Sequence, residues 1–569
     1  MSFAPFVCKD SRINDITSRT DYAVFQGGAH NTYQSYPSTS ASSSSISFNV
    51  NPPSESVVIS REVMIESTIK FQARIGNVAI GQKALLYGEN DALQAFPFNS
   101  LIQTASVSIN NTNLSTNLQD VKDGILKCIP QRDLGHYQDT TPTLLDSTYK
   151  VQSTATTRNT EINGYYNAGY DKELVPRGAH PLKVNNVAHY VANSLKDALI
   201  TAEGDRVSTE YWIIDMEVTV TEPLMVSPFI FGKPNYGSEQ GLYGVNQLNI
   251  VLNMDAAMRR FWSTRNPSWT YSFTPDPTTP YRANLLLNYL TLQPGDCVDA
   301  KNVVPYLEYP RYITPITNTP SILNGASASI SCANIQLSKV PDTILVFARK
   351  PIAAQTASDT ASFLPITNVS VNFNNQSGLL ASASNKDLYK MSKRNGVCQS
   401  WYEWSGYAMQ GSTTNNSGIP TEVATIGSVL AINPAYDLSL PPTIANGSSG
   451  QFNLQINLTV TNNSGATLTP EIVIVAISSG LLTTIAGNSS LSSGFLTSTI
   501  VMDAQHSTKV SRSLMQRHVG GSLFSAIGSL LKTIPGVGEV VSALGGKRGG
   551  SMSAGAKSAG AKMDSFVKR

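Results

Sequence analysis

Short stretches in which apolar and polar residues alternate recur along most of the chain. Each predicts a β-strand with one buried face, because side chains on a strand point alternately to opposite sides. In residues 452–460, five apolar residues alternate with four polar ones. Residues 45–50 follow the same pattern. Many such strands, separated by loops rich in Gly, Pro, Asn and Ser, are typical of antiparallel β-sandwiches.

One segment, residues 106–127, combines a strand, a tight turn and a short helix. Val107 and Ile109 alternate with polar neighbours, which predicts the strand. Asn110 and Asn111 predict the turn, since Asn tolerates a positive φ and hydrogen-bonds to its own backbone. Apolar residues then recur at helical spacing up to the end of the segment.

The same unit recurs in residues 370–396. Val371 and Phe373 alternate with polar residues, and two Asn residues follow them. A short polar helix comes next, and Gly396 is placed to terminate it. The recurrence suggests that the chain contains two copies of one fold.

A second recurrence has the same order along the chain. Residues 218–221 follow the first unit, and the similar residues 458–461 follow the second. Two recurrences in one order favour tandem duplication of a β fold, with loops of different length between the strands. The alternative is that Thr/Asn/Val strands resemble one another by chance.

These patterns predict an all-β chain of two tandem antiparallel β-sandwiches, for which the jelly roll with its two Greek keys is one architecture, together with short helices, long loops and a basic amphipathic C-terminal tail. The proline density of residues 293–320 argues against a central strand or helix there and predicts a linker. Strands are also expected at 226–231 and at 283–292, the latter covered on both faces because it is almost wholly apolar. The predicted organisation is an arm (1–44), a first roll (45–292) with a loop insertion (129–207), the linker (293–320), a second roll (321–505) with a polar loop region (402–450), and the tail (506–569).

Composition narrows the range of functions. Only 14% of residues are charged, and no uncharged apolar run reaches the roughly 18 residues that a membrane span needs. The first residues lack the features of a signal peptide, so we expect assembly inside a host cell rather than secretion. The five cysteines are scattered without a CxxC pair, which predicts reduced thiols and neither a zinc site nor a disulfide framework.

Catalytic motifs are absent from the sequence. The six histidines have no metal-ligand spacing, and neither a phosphate-binding loop nor a nucleophile elbow occurs. We therefore predict no catalytic residue, cofactor or metal and expect a protein that is not an enzyme.

The tail differs in charge from the rest of the chain. Residues 505–569 contain ten Lys and Arg and two acids, a net charge of +8, whereas the remainder carries −6. Its first part has an apolar stripe at helical spacing, and its basic residues extend toward the end. The stripe consists of Leu523, Ile527, Leu530, Leu531 and Ile534, and the basic positions singled out are Lys532, Lys547, Arg548, Lys557 and Lys562.

Three roles for the tail remain open. The stripe could dock on the inner face of a neighbouring subunit, or it could bind a membrane. The basic residues could instead neutralise nucleic acid by releasing counterions.

Four features of the chain resemble those of the double jelly-roll major capsid proteins of DNA viruses. They are the two strand–turn–helix units, the apolar strand at 285–292 and the Pro-preceded apolar strand at 340–347. That group includes adenovirus-like, polinton-like and large algal viruses, and the resemblance covers roughly residues 45–505. It implies a virion protein whose homotrimers form pseudo-hexagonal blocks that tile an icosahedral shell with other capsid proteins. It also implies external towers built from the loops 129–207 and 402–450, and termini inside the particle.

The resemblance extends faintly to processing. Gly520 and Gly521 resemble the Gly-Gly sites that adenovirus-type maturation proteases cut, although Gly-Gly pairs are common.

Two other functions fit parts of the pattern. One is a capsid protein of RNA-virus type, with a single jelly roll and a projecting β domain. The other is a carbohydrate-binding β-sandwich in which Trp401, Tyr402, Trp404 and Tyr407 form a stacking platform. Aromatic residues spaced so closely more often pack a loop against a core.

Overall fold

The first half of the chain forms two antiparallel sheets around a shared apolar core. One sheet has the strand order β10-β9-β13-β5-β4 and the other β11-β12-β7-β16-β3, with β15 and β6 added at β7 and β16; β1 pairs with β2, and β8 with β14. The strands are β1 (Phe6–Cys8), β2 (Tyr22–Val24), β3 (His30–Pro37), β4 (Ser40–Ala41), β5 (Ser45–Val50), β6 (Val58–Ile59), β7 (Met64–Ala79), β8 (Asp91–Leu93), β9 (Ile102–Ile109), β10 (Thr112–Thr116), β11 (Lys183–Val191), β12 (Thr209–Pro223), β13 (Leu248–Met254), β14 (Trp262–Thr264), β15 (Thr270–Pro275) and β16 (Tyr281–Thr291). The computed structural model describes residues 6–8, 22–24, 30–54, 57–79, 82–150, 176–191, 209–229, 241–266, 268–291, 301–410, 421–485, 487–494 and 496–497.

The second half forms another pair of antiparallel sheets. One has the order β19-β27-β22-β23, with β20 also on β27, and the other has the order β17-β28-β21-β26, with β18 and β29 also on β28. A separate hairpin joins β24 to β25. The strands are β17 (Lys301–Glu308), β18 (Arg311–Thr314), β19 (Ser327–Ser331), β20 (Ile335–Lys339), β21 (Thr343–Arg349), β22 (Ile366–Phe373), β23 (Gln376–Leu379), β24 (Tyr407–Gln410), β25 (Thr421–Ala424), β26 (Leu430–Ile432), β27 (Ser449–Thr461), β28 (Glu471–Ile485) and β29 (Asn488–Ser493).

Both halves have the same strand order. Strands β10-β9-β13-β5 of the first half correspond to β23-β22-β27-β19, and β12-β7-β16-β3 correspond to β26-β21-β28-β17. Each half is therefore a jelly roll, in which two four-stranded Greek-key sheets face each other across a core. The predicted fold class, two tandem jelly rolls, is confirmed.

Short helices connect the strands. Helix α4 (Asn385–Arg394) begins with a capping box, in which Ser384 Oγ accepts the N–H of Asp387 and the Asp387 carboxylate accepts the N–H of Ser384. Gly396, at φ 102°, follows its last turn as predicted. The α-helices are α1 (Pro97–Leu101), α2 (Leu118–Leu126), α3 (Gln131–Leu134), α4 (Asn385–Arg394), α5 (Trp401–Ser405) and α6 (Pro434–Asp437), and the 3₁₀ turns are Gly135–Tyr137, Arg177–Ala179, Ile316–Asn318 and Ile352–Ala354.

The two predicted strand–turn–helix units occupy equivalent places. Asn110 has φ 51° and Asn374 has φ 50°, so both turns use Asn in the left-handed region. The Asn110 Oδ1 accepts the N–H of Asn246 at 2.8 Å, and the Asn374 Oδ1 accepts the N–H of Asn453 at 2.8 Å. Each turn is followed by a second strand, β10 or β23. The sequence pattern did not predict this strand, because it placed the helix directly after the turn.

The second recurrence does not mark equivalent strands. Residues 218–221 lie in β12, which pairs with β7, whereas residues 458–461 lie in β27, which pairs with β22. The counterpart of β27 in the first roll is β13. That prediction is wrong because alternating Thr and Val suits any half-buried strand, whichever sheet contains it.

Residues 293–320 are not only a linker. They contain β17 and β18, both paired with β28 of the second roll. Pro305 lies within β17, opposite Leu481. Because β17 is at the edge of its sheet order, the missing N–H of this proline costs no ladder hydrogen bond to a further strand.

Three other local predictions are wrong. The loop predicted at 129–207 contains β11, which extends the first roll's sheet beside β12. The loop region 402–450 contains β24, β25 and the buried β26. Residues 226–229 form a turn rather than a strand, since Ser227-Pro228 interrupts the pattern.

Asn374 provides a test of the turn. Asn374→Ala should lower the free energy of unfolding by roughly 1.5–3 kcal/mol, because Ala resists the left-handed region and lacks the Oδ1 acceptor. Asn374→Gly should lower it by less, since Gly accepts the positive φ. The measurement is chemical denaturation, with Asn375→Ala, an exposed position in the same turn, as the near-neutral control. Equal losses in Asn374→Ala and Asn375→Ala would contradict this account.

Candidate functional site at the interface between the two rolls

The sheet of the second roll that contains β21 and β28 is buried on both faces. On β21, Ile344 and Val346 belong to the second roll's own core, while Leu345 and Phe347 belong to the core cluster of the first roll. On β28, residues 472, 474 and 476 belong to the second roll's own core, while residues 473 and 475 belong to the core cluster of the first roll. Continuous apolar runs are what a sheet covered on both faces requires.

Strand β16 does not have that property. Its residues alternate between buried and half-exposed, so only one face meets a core. The prediction of two covered faces at 283–292 is wrong for this strand, and β21 and β28 are the strands that fit it.

Helix α2 of the first roll packs directly on the second roll. A Cβ added to Gly124 would lie 2.6 Å from Cε1 of Phe347, closer than real Cβ contacts allow. The Phe347 ring in turn packs against Phe363, with 4.9 Å between the ring centroids. Glycine is therefore required at this point of the helix because of its neighbour rather than its backbone conformation.

A buried arginine joins the two rolls beside this contact. Arg349, on β21, is 2% exposed. Its Nη2 donates to Oδ1 of Asp120 on α2 at 3.0 Å, and its Nε donates to Oε1 of Glu471 at 2.7 Å. Its Nη1 donates to the main-chain carbonyls of Gln119 and Asp120 at 3.4 and 3.3 Å. Asp120 also pairs with Arg311 on β18.

A second charged group lies on the first roll's side of the helix. Lys122 Nζ donates to Ser100 Oγ at 2.6 Å, and Asp123 pairs with Arg260. Burial by itself would raise the pKa of Asp123, but Arg260 and then Lys122 outweigh it and lower the pKa to about 2. Burial lowers the pKa of Lys122. These groups border a cavity of about 30 Å³ between the rolls, enough for about one water molecule.

Residues 146–150 of the first roll's long connection cross into the second roll. The N–H of Tyr149 donates to the carbonyl of Ala424 at 3.0 Å, and the Tyr149 side chain belongs to the second roll's core. Asp146 accepts from Arg177 Nη2 at 2.7 Å and from the N–H of Ala361 at 2.9 Å. Together, the crossing segment and helix α2 join the rolls through both apolar and ionic contacts.

The sequence missed this interface. The predicted functional residues of the tail, namely the stripe, the basic positions and Gly520-Gly521, all lie outside the described residues. The apolar runs at 344–348 and 472–476 were the signal that could have located the interface, since each has no polar face.

The aromatic cluster at 401–407 does not form a four-ring platform. Trp404 is fully buried, and its Nε1 donates to the carbonyl of Val429 at 3.2 Å. Trp401 stacks on Trp404 with 6.2 Å between centroids. Tyr402 and Tyr407 are 65% and 52% exposed. The cluster mainly packs α5 onto the core.

The described part of the chain contains no group of three or more His, Cys, Asp or Glu residues suited to hold a metal ion. None of its helices is long and apolar enough to cross a bilayer.

Two jelly rolls in tandem, with the second completed by an apolar contact to the first, define a double jelly-roll protein. Residues 2–289 match the family model for the first domain of the Sputnik virophage major capsid protein, and residues 309–480 match the model for the C-terminal domain of major capsid protein V20. The chain belongs to this family of virophage major capsid proteins.

Individual relatives agree with this assignment. The chain is 27% identical over 538 residues to the putative capsid protein V20 of Sputnik virophage, covering 92% of this chain and 85% of the relative. It resembles the Sputnik virophage cryo-EM structure with a TM-score of 0.73 and 22% identity over 90% of this chain and 97% of that one. For the mavirus major capsid protein crystal structure the TM-score is 0.65, with 13% identity over 88% and 98%.

The protein is thus a structural component of a virion capsid and not an enzyme. The alternative of one jelly roll plus a projecting β domain is wrong, because both halves are jelly rolls with one strand order. A carbohydrate-binding sandwich is also not the function that the family indicates.

The contact between Gly124 and Phe347 can be tested. Gly124→Ala should lower the free energy of unfolding by about 1–3 kcal/mol, because the added methyl group forces the rolls apart. Gly135→Ala is the control, since a Cβ there meets nothing within 4 Å. Phe347→Leu combined with Gly124→Ala should be less destabilising than the sum of the single changes. Additive losses in urea denaturation would contradict the proposed contact.

Proposed function

We propose that this capsid protein assembles as homotrimers whose six jelly rolls form a pseudo-hexagonal block of an icosahedral shell. The observation that carries the proposal is the identical strand order of the two rolls, which gives each chain two similar sides of a six-sided block. Other capsid proteins of the particle are the further expected partners.

The contact inside one chain suggests how the trimer closes. Seven of the nine residues of α2 are buried, and this helix covers the outer face of the second roll's sheet. The corresponding helix α4 buries only three of its ten residues and exposes Lys386, Lys390 and Lys393. In a ring of three chains, α4 would meet the outer face of a neighbour's first roll, where Arg74 and Arg282 are exposed and the carboxylates of Glu66, Asp215 and Glu217 are partly exposed. Repeating one type of contact around a closed ring is how cyclic oligomers form.

The long connections support a common outer end. Thr148 of the first connection bridges to Thr425 of the second, so the bases of the two predicted tower loops lie together. We place the towers there. As domain limits we propose an arm before residue 30, a first roll from residue 30 to residue 292, a second roll that begins at residue 301 and runs to 505, and the tail from 506. The predicted arm limit at residue 44 is wrong, because β3 and β4 pair with β16 and β5 of the first roll.

For the tail we propose an interior position. The apolar stripe from Leu523 to Ile534 would dock on the shell's inner face or on a membrane, and Lys532, Lys547, Arg548, Lys557 and Lys562 would contact packaged nucleic acid. Cleavage at Gly520-Gly521 would separate this segment from the shell. The support is the charge contrast of +8 in residues 505–569 against −6 in the remainder.

Size-exclusion chromatography with light scattering tests the trimer. The wild type should have three times the mass of one chain, and Lys386→Glu/Lys390→Glu/Lys393→Glu should give monomers with an unchanged circular dichroism spectrum. Arg132→Glu, at a side chain 71% exposed on α3, is the control and should stay trimeric. A wild-type monomer at every concentration would overturn the trimer, whereas a trimeric triple variant would overturn only the role of α4.

The tail is tested by ending the chain at residue 505. The shortened protein should remain trimeric but lose salt-dependent binding to an oligonucleotide, measured by fluorescence anisotropy, because counterion release requires the basic residues. Changing Lys532, Lys547, Arg548, Lys557 and Lys562 together to Gln should weaken binding and flatten its salt dependence while the apolar stripe stays intact. Unchanged binding after truncation would refute the nucleic-acid role.

A further inference from the structure

Two cysteines from different rolls are neighbours at the inter-roll interface. Cys128 lies just after α2 in the first roll, and Cys398 lies between α4 and α5 in the second. The main-chain N–H of Cys398 donates to the carbonyl oxygen of Lys127 at 2.7 Å. We propose that Cys128 and Cys398 form an intramolecular disulfide that links the two rolls covalently when the protein meets an oxidising environment.

The hydrogen bond limits the distance between the two cysteines. Standard backbone dimensions place the Cα of Cys128 about 2.8 Å from the Lys127 oxygen, and the Cα of Cys398 about 1.5 Å from its own nitrogen. The two Cα atoms are therefore at most about 7 Å apart, and closer wherever this path bends. Disulfides usually join Cα atoms that are about 4.4–6.8 Å apart.

Both thiols are present as free groups. Cys128 Sγ lies 3.6 Å from the carbonyl oxygen of Gly124, and Cys398 Sγ lies 3.6 Å from that of Gly396. Cys128 is half-buried, and Cys398 is exposed. Small oxidants therefore reach Cys398 first, and Cys128 is positioned to resolve the product.

Electrostatics couples the two thiols and slows their oxidation. Burial, and then the charge of the nearby Cys398 thiolate, raises the pKa of Cys128 to about 12. Burial also raises the pKa of Cys398, although Lys393 acts against it. Because the thiolate is the reactive form, the pair should oxidise slowly near neutral pH and faster as the pH rises.

The reaction needs a low-molecular-weight disulfide of the glutathione type as the oxidant. The thiolate of Cys398 attacks one sulfur of that disulfide, and one small thiolate leaves. Cys128 then loses its proton and displaces the second small thiolate, forming the protein disulfide. The two protein thiols are oxidised, the small disulfide is reduced to two thiols, and the two protein protons end on them.

The location of the link explains what it would do. The two cysteines are 270 positions apart, so the bond would close a loop that includes most of the first roll and half of the second. Such a bond restricts the unfolded chain and holds the rolls together. Reducing conditions inside a cell would keep it open during assembly, and the surroundings of a released virion would close it. The inference concerns a single chain and does not depend on the trimer.

The test uses the full-length protein, reduced and then incubated with oxidised glutathione at about pH 8.5. Intact mass should fall by two hydrogens, and proteolysis should yield the peptide with Cys128 joined to that with Cys398. The midpoint of thermal unfolding should rise and return to its original value on reduction. The link should form more slowly at about pH 7.

Variants separate this pair from the other cysteines. Cys128→Ser and Cys398→Ser should each abolish the linked peptide and the rise in unfolding temperature. Cys332→Ser is the control and should keep both, since Cys332 is buried and its Sγ accepts the N–H of Ile456 at 3.1 Å. Folded wild-type protein that gains only a glutathione adduct on Cys398, or links between chains, would overturn the proposal.

Discussion

The structure depends on one constraint, which is that the second roll's outer sheet face cannot be left in water. Leu345, Phe347, Val473 and Val475 all point away from the second roll's own core and are fully buried. At about 25 cal/mol per Å² of apolar surface, exposing four such side chains would cost several kcal/mol. The first roll supplies the cover, so the second roll is completed by its neighbour.

Buried charged groups then fix the position of the first roll's helix α2 on this sheet face. The Arg349 guanidinium is out of water and is satisfied only because Asp120, Glu471 and two carbonyls at the start of α2 converge on it. Removing one partner of a buried pair is costly, whereas such pairs add little net stability over apolar packing. The cluster therefore acts mainly on geometry, since helix α2 can satisfy the arginine in one register. Gly124, one helical turn further on, permits the close approach that this register demands.

This arrangement suits a shell subunit. Two sandwiches joined by an apolar face, an ion cluster and a crossing segment behave as one block, because sliding would break all three contacts at once. The Sputnik and mavirus structures keep the fold at 22% and 13% identity. Such divergence is expected when a fold depends on alternation, on turn geometry at Asn110 and Asn374, and on volume rather than on particular side chains.

Local pattern by itself determined many of the strands, the two Asn turns and the halves, because period-2 alternation and positive φ depend on adjacent residues, but it missed other strands such as β10, β11 and β23. It could not decide which strand pairs with which. Thr-Val repeats therefore suggested a false equivalence between β12 and β27. The prolines of residues 293–320 predicted a linker where the edge strand β17 lies. Tertiary structure alone brought together three pairs of residues, namely Gly124 with Phe347, Asp120 with Arg349 and Cys128 with Cys398. These partners are separated by more than 200 positions, and no local pattern records which surfaces two folded sheets present to each other.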